Sequence, residues 1–554
     1  MEDYFDIGSF CRDVSTESTH ARTWFNRGLI WCYSFAFEEA ARCFARASDA
    51  DDNCAMAYWG TAYALGPYYN KQWHKFDPVD LQKTLAACYA ALQQASQNIE
   101  YASGVEQALI NALSFRYQAA EPPADFGIWT DDYANSMRDV YRAFPDDLDV
   151  CTLFADAMMN RTPWALWDLR SGEPSPGADT LEIIEVLEKA LQQVQRTGVD
   201  DHPGLLHLYI HALEMSPHPE KAMRAADRLR GLVPDAGHLR HMPTHIDAQC
   251  GNYYEVVVSN DAAIAADEKY VDQWGKVNFH ALSRAHNFHF KLYGAMLLGQ
   301  YQAAVDASNG MLNTIPEELL RVQSPPMADW LEGYVAMKVH APVRFGRWHE
   351  LIAEPMPHDS ELYCASTAML HYAKTLAHAV LGDIESAETE KQLFTEAVAR
   401  VPETRMVFNN TCLDILRIAG EMANGEVEYR KGNFDGAFEH LRRAVQHADD
   451  LPYDEPWGWM QPARHALGAL LLEQGRLVEA EAVYRADLGL NDTLIRACQH
   501  HGNVWSLHGF HECLRRQNKH AEADLIAPGL KLAMARADVP IEASCLCRLR
   551  RSAW

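Results

Sequence analysis

GQYQAA, running from Gly299 to Ala304, recurs in form three more times: GDIESA from Gly382 to Ala387, GNFDGA from Gly432 to Ala437, and GRLVEA from Gly475 to Ala480. Each has glycine, then an apolar or aromatic residue two later, then alanine five later. Glycine suits the tight turn that ends a helix, and a small residue one turn into the next helix lets the two pack closely. Looser copies stand at Phe35 to Ala40, Gly251 to Val256 and Asn518 to Ala523. A short pattern at such intervals predicts a repeated helix pair, and hence an all-α chain.

Between Trp24 and Ala47, the residues Gly28, Ala40, Phe44 and Ala47 occupy spacings at which this segment resembles a tetratricopeptide (TPR) motif. The resemblance implies a TPR-like superhelical array of antiparallel helix pairs. Large residues such as Phe44 and Tyr484 are then expected to fill the gap to the next pair. The turns are unevenly spaced, which predicts insertions. The largest, from Ala120 to Asp179, contains EPPADFG, RTPWALWDL and SGEPSPGAD; a second, from Pro316 to Pro357, contains PP, RFGRW and PMPH. The expected organisation is therefore N-terminal helix pairs over 1–119, a Trp-rich insertion with its following helix over 120–195, histidine-rich repeats over 196–315 and further repeats over 316–554.

Composition narrows the function. Hydrophobic residues at 48% and charged residues at 23% are the balance of a folded protein. A net charge of -27 without a compact Lys/Arg stripe argues against nucleic acid as a partner. No run of eighteen apolar residues predicts a membrane helix, and MEDYFDIGSF lacks a signal-peptide layout, so a cytoplasmic location is expected. Thirteen scattered cysteines read as reduced thiols; Cys545 and Cys547 form a CxC that suits a soft metal or a redox pair, with free thiols the simpler reading. Walker, dinucleotide and nucleophile-elbow motifs in their proper contexts are missing, which disfavours nucleotide-driven and serine-hydrolase chemistry.

Registering the repeats on their turn and small residues, without using histidine, assigns the positions that face the concave groove. These are Gly204, His207, His211 and Glu214 in one repeat, His238, His241 and His245 in the next, and His286, His289 and Tyr293 in the third. Seven of the nine positions shared by the three repeats are histidine, where random placement of 25 histidines among 554 residues gives roughly 0.4. The same register elsewhere selects Trp59 and Tyr63, or Tyr372 and Leu376, so the enrichment is local. Histidines at i and i+4 on a helix share one face, and two such pairs on neighbouring helices suit one or two transition-metal ions. Glu214 is a candidate ligand or catalytic proton acceptor. Pro243 predicts that the His241/His245 helix begins late or bends. His202 reads as part of a helix start capped by Asp201 and is left out of the site, as are His500, His501, His508 and His511. A bland alternative is a set of imidazoles bonded to one another and to backbone in a polar groove.

HPGLLHLYIHALE, GHLRHMPTHI, AHNFHF, TPWALWD and LPYDEPWGW together resemble a group of TPR-like proteins of bacteria and fungi. That resemblance supports the fold and one histidine site; it brings no reaction with it. An all-imidazole set favours copper, with zinc or iron as alternatives. Helical HxxxH pairs look similar to the ligands of coupled dicopper proteins that bind oxygen. The expected function is therefore metal-dependent oxidation or oxygenation of a small organic molecule, with Trp164/Trp167 and Trp457/Trp459 as candidate covers. A metal-dependent hydrolase or lyase is one alternative, and a non-catalytic scaffold binding a protein or peptide is the other.

Overall fold

The computed structural model describes residues 4–549. The chain forms two compact units, one of residues 4–246 with 262–273 and the other of residues 247–261 with 274–549. Their division falls inside the 196–315 segment, which contributes to both. Each unit is an all-α, TPR-like array of helix pairs; among the described residues the only strands are the two-residue antiparallel pair Met406–Val407 and Asn410–Thr411.

The repeated turns are built as the pattern requires. Gly251, Gly299, Gly382, Gly432 and Gly475 all have φ between +72° and +91°, and the looser copies place Phe35 (φ +53°) and Asn518 (φ +58°) in the same left-handed region. Five positions later, Ala40, Val256, Ala304, Ala387, Ala437, Ala480 and Ala523 are fully buried. The close approach they allow is visible at Phe44: a Cβ added at Gly28 would lie 2.7 Å from its ring, and one at Gly60 would lie 2.4 Å away. Phe44 therefore fills the space between consecutive pairs, as Tyr484 does against Gly468 and Gly509 in the second unit.

In the first unit the pairs include Thr19–Tyr33 with Phe37–Ala50, Ala55–Leu65 with Pro78–Gln97, and Thr180–Thr197 with Pro203–Glu214. The 120–179 insertion is partly helical, because Phe126–Ala143 and Leu148–Met159 form a further pair there; its irregular part begins after Met159. In the second unit Cys364–Leu381 packs on Ile384–Val398, Cys412–Arg430 on Phe434–Asp449, and Ala463–Glu473 on Leu477–Asp487. The 316–357 segment consists of short helices and turns. Trp457 and Trp459 belong to this unit: Trp457 donates to the Ala448 carbonyl at 2.7 Å, and the buried Trp459 ring packs against His340 and Tyr372. Among the described residues, no helix is long and apolar enough to cross a membrane.

Candidate metal centre

The Pro203–Glu214 helix starts with proline at its first position, where no backbone donor is lost. Its cap is His202, whose Nδ1 accepts from the Leu205 N–H at 3.2 Å while Nε2 faces Asp149 at 3.2 Å. This corrects the expected Asp201 cap, for Asp201 instead pairs with Arg228. Gly204 lets the helix approach the end of Thr19–Tyr33 closely: a Cβ there would sit 2.7 Å from both Tyr33 and Thr152. That approach brings the Tyr33 carbonyl to His207 Nδ1, at 2.7 Å. A carbonyl only accepts, so Nδ1 carries the proton and Nε2 presents its lone pair.

One turn on, His211 and Glu214 share the same face. The Glu214 carboxylate is bonded to two imidazoles through separate oxygens: Oε1 lies 2.8 Å from His211 Nδ1 and Oε2 lies 2.6 Å from His245 Nδ1. His245 lies in the Pro243–Gln249 helix, which a break at Met242 separates from the Gly237–His241 helix. Despite that break, His241 Nε2 and His245 Nε2 are 2.7 Å apart, and His238 Nε2 lies 3.2 Å from His207 Nε2. One nitrogen from each of His207, His211 and His238 falls within 4.8 Å of the others. Three imidazole nitrogens on a tetrahedral ion, each about 2.0–2.1 Å from it, stand roughly 3.3 Å apart, so the His207–His238 separation already matches.

All of these groups are buried, His207 and His241 completely. Burial, with the neighbouring His211, pushes His207 well below its ordinary value, and burial lowers His211 to about 3. Both imidazoles are therefore neutral at physiological pH, the state a metal requires. Burial pushes the Glu214 carboxyl up. His211 Nε2 is buried and has no hydrogen-bond partner.

Aromatic rings close the other side. Phe35 lies 4.5 Å from His207, 5.3 Å from His238 and 5.7 Å from His211, between ring centres. Tyr69 stands 5.0 Å from His211, with its buried hydroxyl against the Trp164 backbone, and Trp164 (φ +59°) stands 5.8 Å from the same ring. Trp167 anchors its segment by donating to the Ala212 carbonyl at 2.8 Å. Phe35 and Trp164 are large residues held at positive φ, an arrangement that costs energy and concentrates at functional sites.

Five of the seven imidazoles, together with Glu214, thus meet in the first unit. His286 and His289 belong to the Ala281–Leu298 helix of the second unit. There His286 packs near Phe290 and Phe408, while the buried His289 faces Tyr334, with neither ring nitrogen hydrogen-bonded. The second unit also supplies a purely structural contrast. Asp487 binds His465 Nε2 at 3.0 Å and His500 Nδ1 at 2.8 Å, and the other nitrogen of His465 accepts from Arg344 at 3.0 Å. Both nitrogens of His465 are thereby occupied, which leaves it no lone pair for an ion.

Residues that sequence reasoning passed over are Tyr33, Tyr69 and Phe35. Phe35 carried a signal, since it occupies the turn slot that glycine holds in the regular repeats. Tyr33 acts through its backbone carbonyl, which side-chain identity does not encode.

No family model matches the chain, and no curated protein matches it. Among solved structures it is similar to the APC/C hetero-tetramer Cut9-Hcn1 (12% identity, 86% of this chain and 74% of that one, TM-score 0.30). It is also similar to yeast Tom70 (11%, 90% and 96%, TM-score 0.28) and to the human IFIT1 dimer with m7Gppp-AAAA (10%, 94% and 91%, TM-score 0.27).

Proposed function

We propose that the first unit holds a transition-metal ion on His207, His211 and His238, with His241 and His245 as an adjoining imidazole pair, and that the ion serves oxidation of a small organic molecule. The observation that carries this reading is the fixing of three Nδ1 atoms from behind. The Tyr33 carbonyl and the two Glu214 oxygens hold those of His207, His211 and His245, which leaves each Nε2 as the outward donor. Carbonyl and carboxylate partners of this kind orient metal-bound imidazoles and raise their basicity.

Nitrogen donors select copper first and zinc or iron next, over magnesium or calcium. A bound copper or iron ion would supply redox chemistry; the chain supplies orientation and dryness. In this reading Glu214 is a positioning residue, and a cation beyond the two rings offsets the burial that otherwise favours its neutral form. Phe35, Tyr69 and Trp164 exclude water from the imidazole face.

The test is calorimetric titration of tag-free, metal-stripped protein with copper, zinc and ferrous ions, beside a His207→Ala/His241→Ala variant that keeps its helical circular dichroism. Saturable binding near one or two ions per chain, abolished in the variant, supports the centre. Equal binding by both proteins removes it and leaves a TPR-like scaffold for a protein or peptide partner.

A further inference from the structure

The CxC near the C-terminus acquires a setting in the second unit. Its segment is tied down on several sides: Arg344 donates to the Ser544 carbonyl, Tyr484 and Ser544 share a hydrogen bond of 2.6 Å, and Arg430 donates to the Cys547 carbonyl. Cys545 is half-buried and Cys547 buried, and both line the same cavity.

Both sulfurs line a small cavity with Arg344, Trp348, Tyr372, Glu426 and His465. Arg344 Nε, Trp348 Nε1 and the Tyr372 hydroxyl are buried without hydrogen-bond partners. These three residues are each at least nine-tenths buried, with exposures of 3%, 1% and 0%. Three unsatisfied donors around one cavity are costly unless an electronegative atom occupies it. The cavity has an open volume of about 20 Å³, room for one water-sized molecule.

We propose that Cys545 and Cys547 form a hydroperoxide-reactive thiol pair, selective for hydrogen peroxide itself. The Cys545 thiolate attacks one peroxide oxygen, the O–O bond breaks, and the sulfur gives up two electrons. Cys545 becomes a sulfenic acid, and the departing hydroxide takes a proton to leave as water. The Cys547 sulfur then displaces the sulfenic oxygen, a second water leaves and the disulfide forms. In sum, two thiols and one hydrogen peroxide give one disulfide and two waters.

The donors fit the step because Arg344, Trp348 and Tyr372 face the oxygen on which charge develops. The neighbouring Cys547, and after it the charge of Arg344, hold the Cys545 thiol below its usual range against burial. Burial lowers the Arg344 guanidinium to about 10, so it remains cationic at neutral pH. Thiolate character together with access is what sets peroxide reactivity.

The wild-type chain contains its own control, the exposed Cys11. Full-length protein is treated with one equivalent of hydrogen peroxide, quenched over time, digested and analysed by mass spectrometry. The expected result is a Cys545–Cys547 disulfide formed about tenfold or more faster than Cys11 is oxidised. In Cys547→Ser, dimedone should trap a sulfenic acid at Cys545. In Trp348→Phe, Cys545 should slow while Cys11 does not. Oxidation of Cys545 no faster than that of Cys11 in the wild-type protein overturns the proposal, as does equal reactivity with tert-butyl hydroperoxide, which the cavity cannot admit.

Discussion

Glu214 Oε2 lies 2.6 Å from His245 Nδ1, across 31 residues and a helix break, while Oε1 of the same carboxylate lies 2.8 Å from His211 Nδ1. One buried side chain therefore sets the orientation of two imidazoles from two helices. Glu214→Gln keeps the volume but leaves only one accepting oxygen, so one of the two rings must turn or change tautomer. Metal affinity is expected to fall roughly 10–100-fold, the usual effect of losing such a partner. Calorimetric titration checks this against unchanged circular dichroism; unaltered affinity would show that Glu214 does not orient the ligands.

Phe35 pays for its place against His207 and His238 with a φ of +53°. Removing the ring destabilises the first unit, but glycine also releases the backbone strain, which is about 1–2 kcal/mol for a non-glycine residue. Phe35→Gly should therefore be more stable than Phe35→Ala by about 1 kcal/mol, the reverse of the order inside a helix. Chemical denaturation of the two variants measures the difference, and an alanine variant that is the more stable contradicts the strain argument.

Turn and packing glycines separate in the same way. Gly382, at φ +91°, has open space where a Cβ would project, so Gly382→Ala meets backbone strain alone and should cost about 1 kcal/mol. At Gly60 the added Cβ would stand 2.4 Å from the Phe44 ring, and Gly60→Ala should cost more, about 1–3 kcal/mol through overpacking. Thermal unfolding of the two variants ranks them, and comparable losses would contradict the close packing around Phe44.

Acid should weaken the second unit through its buried Asp487 cluster. Burial lowers His465 to about 4, whereas an unfolded histidine titrates near 6.5. Between those values the unfolded chain binds more protons, so stability falls as pH falls from about 6.5 towards 4. Asp487 is held well below the carboxylate range by His465 and His500 although burial opposes it, so its contribution persists through that window and is lost only at lower pH. His465→Gln removes the titrating group and should flatten the decline of the thermal midpoint between pH 7 and pH 4.5. An unchanged slope would place the acid sensitivity elsewhere.

The turns were legible because glycine and alanine respond to local geometry: the register read from Gly299, Gly382, Gly432 and Gly475 also predicts which alanines are buried. That same register grouped His207 with His211 and His241 with His245, since positions on one helical face follow from spacing alone. What escaped it depends on contacts between distant segments. Glu214 reads as a ligand or base until His245 is placed behind it, and His202 looks secondary to Asp201 until Arg228 takes the aspartate. Phe35, Tyr69 and the Tyr33 carbonyl reach the histidines through folding of segments more than a hundred residues away. Cys545 and Cys547 form a visible motif, but the unsatisfied donors of Arg344, Trp348 and Tyr372 come from other helices.

The most direct test of the metal centre is anomalous diffraction from crystals of tag-free protein reconstituted with the ion it binds most tightly in titration. The account predicts an anomalous peak bonded to Nε2 of His207, His211 and His238, with Glu214 still engaging Nδ1 of His211 and His245. One oxygen of Glu214 also lies within 4.8 Å of nitrogens of His211 and His245, so the map distinguishes the two placements. A peak on the carboxylate, or no peak among these imidazoles, would contradict the account.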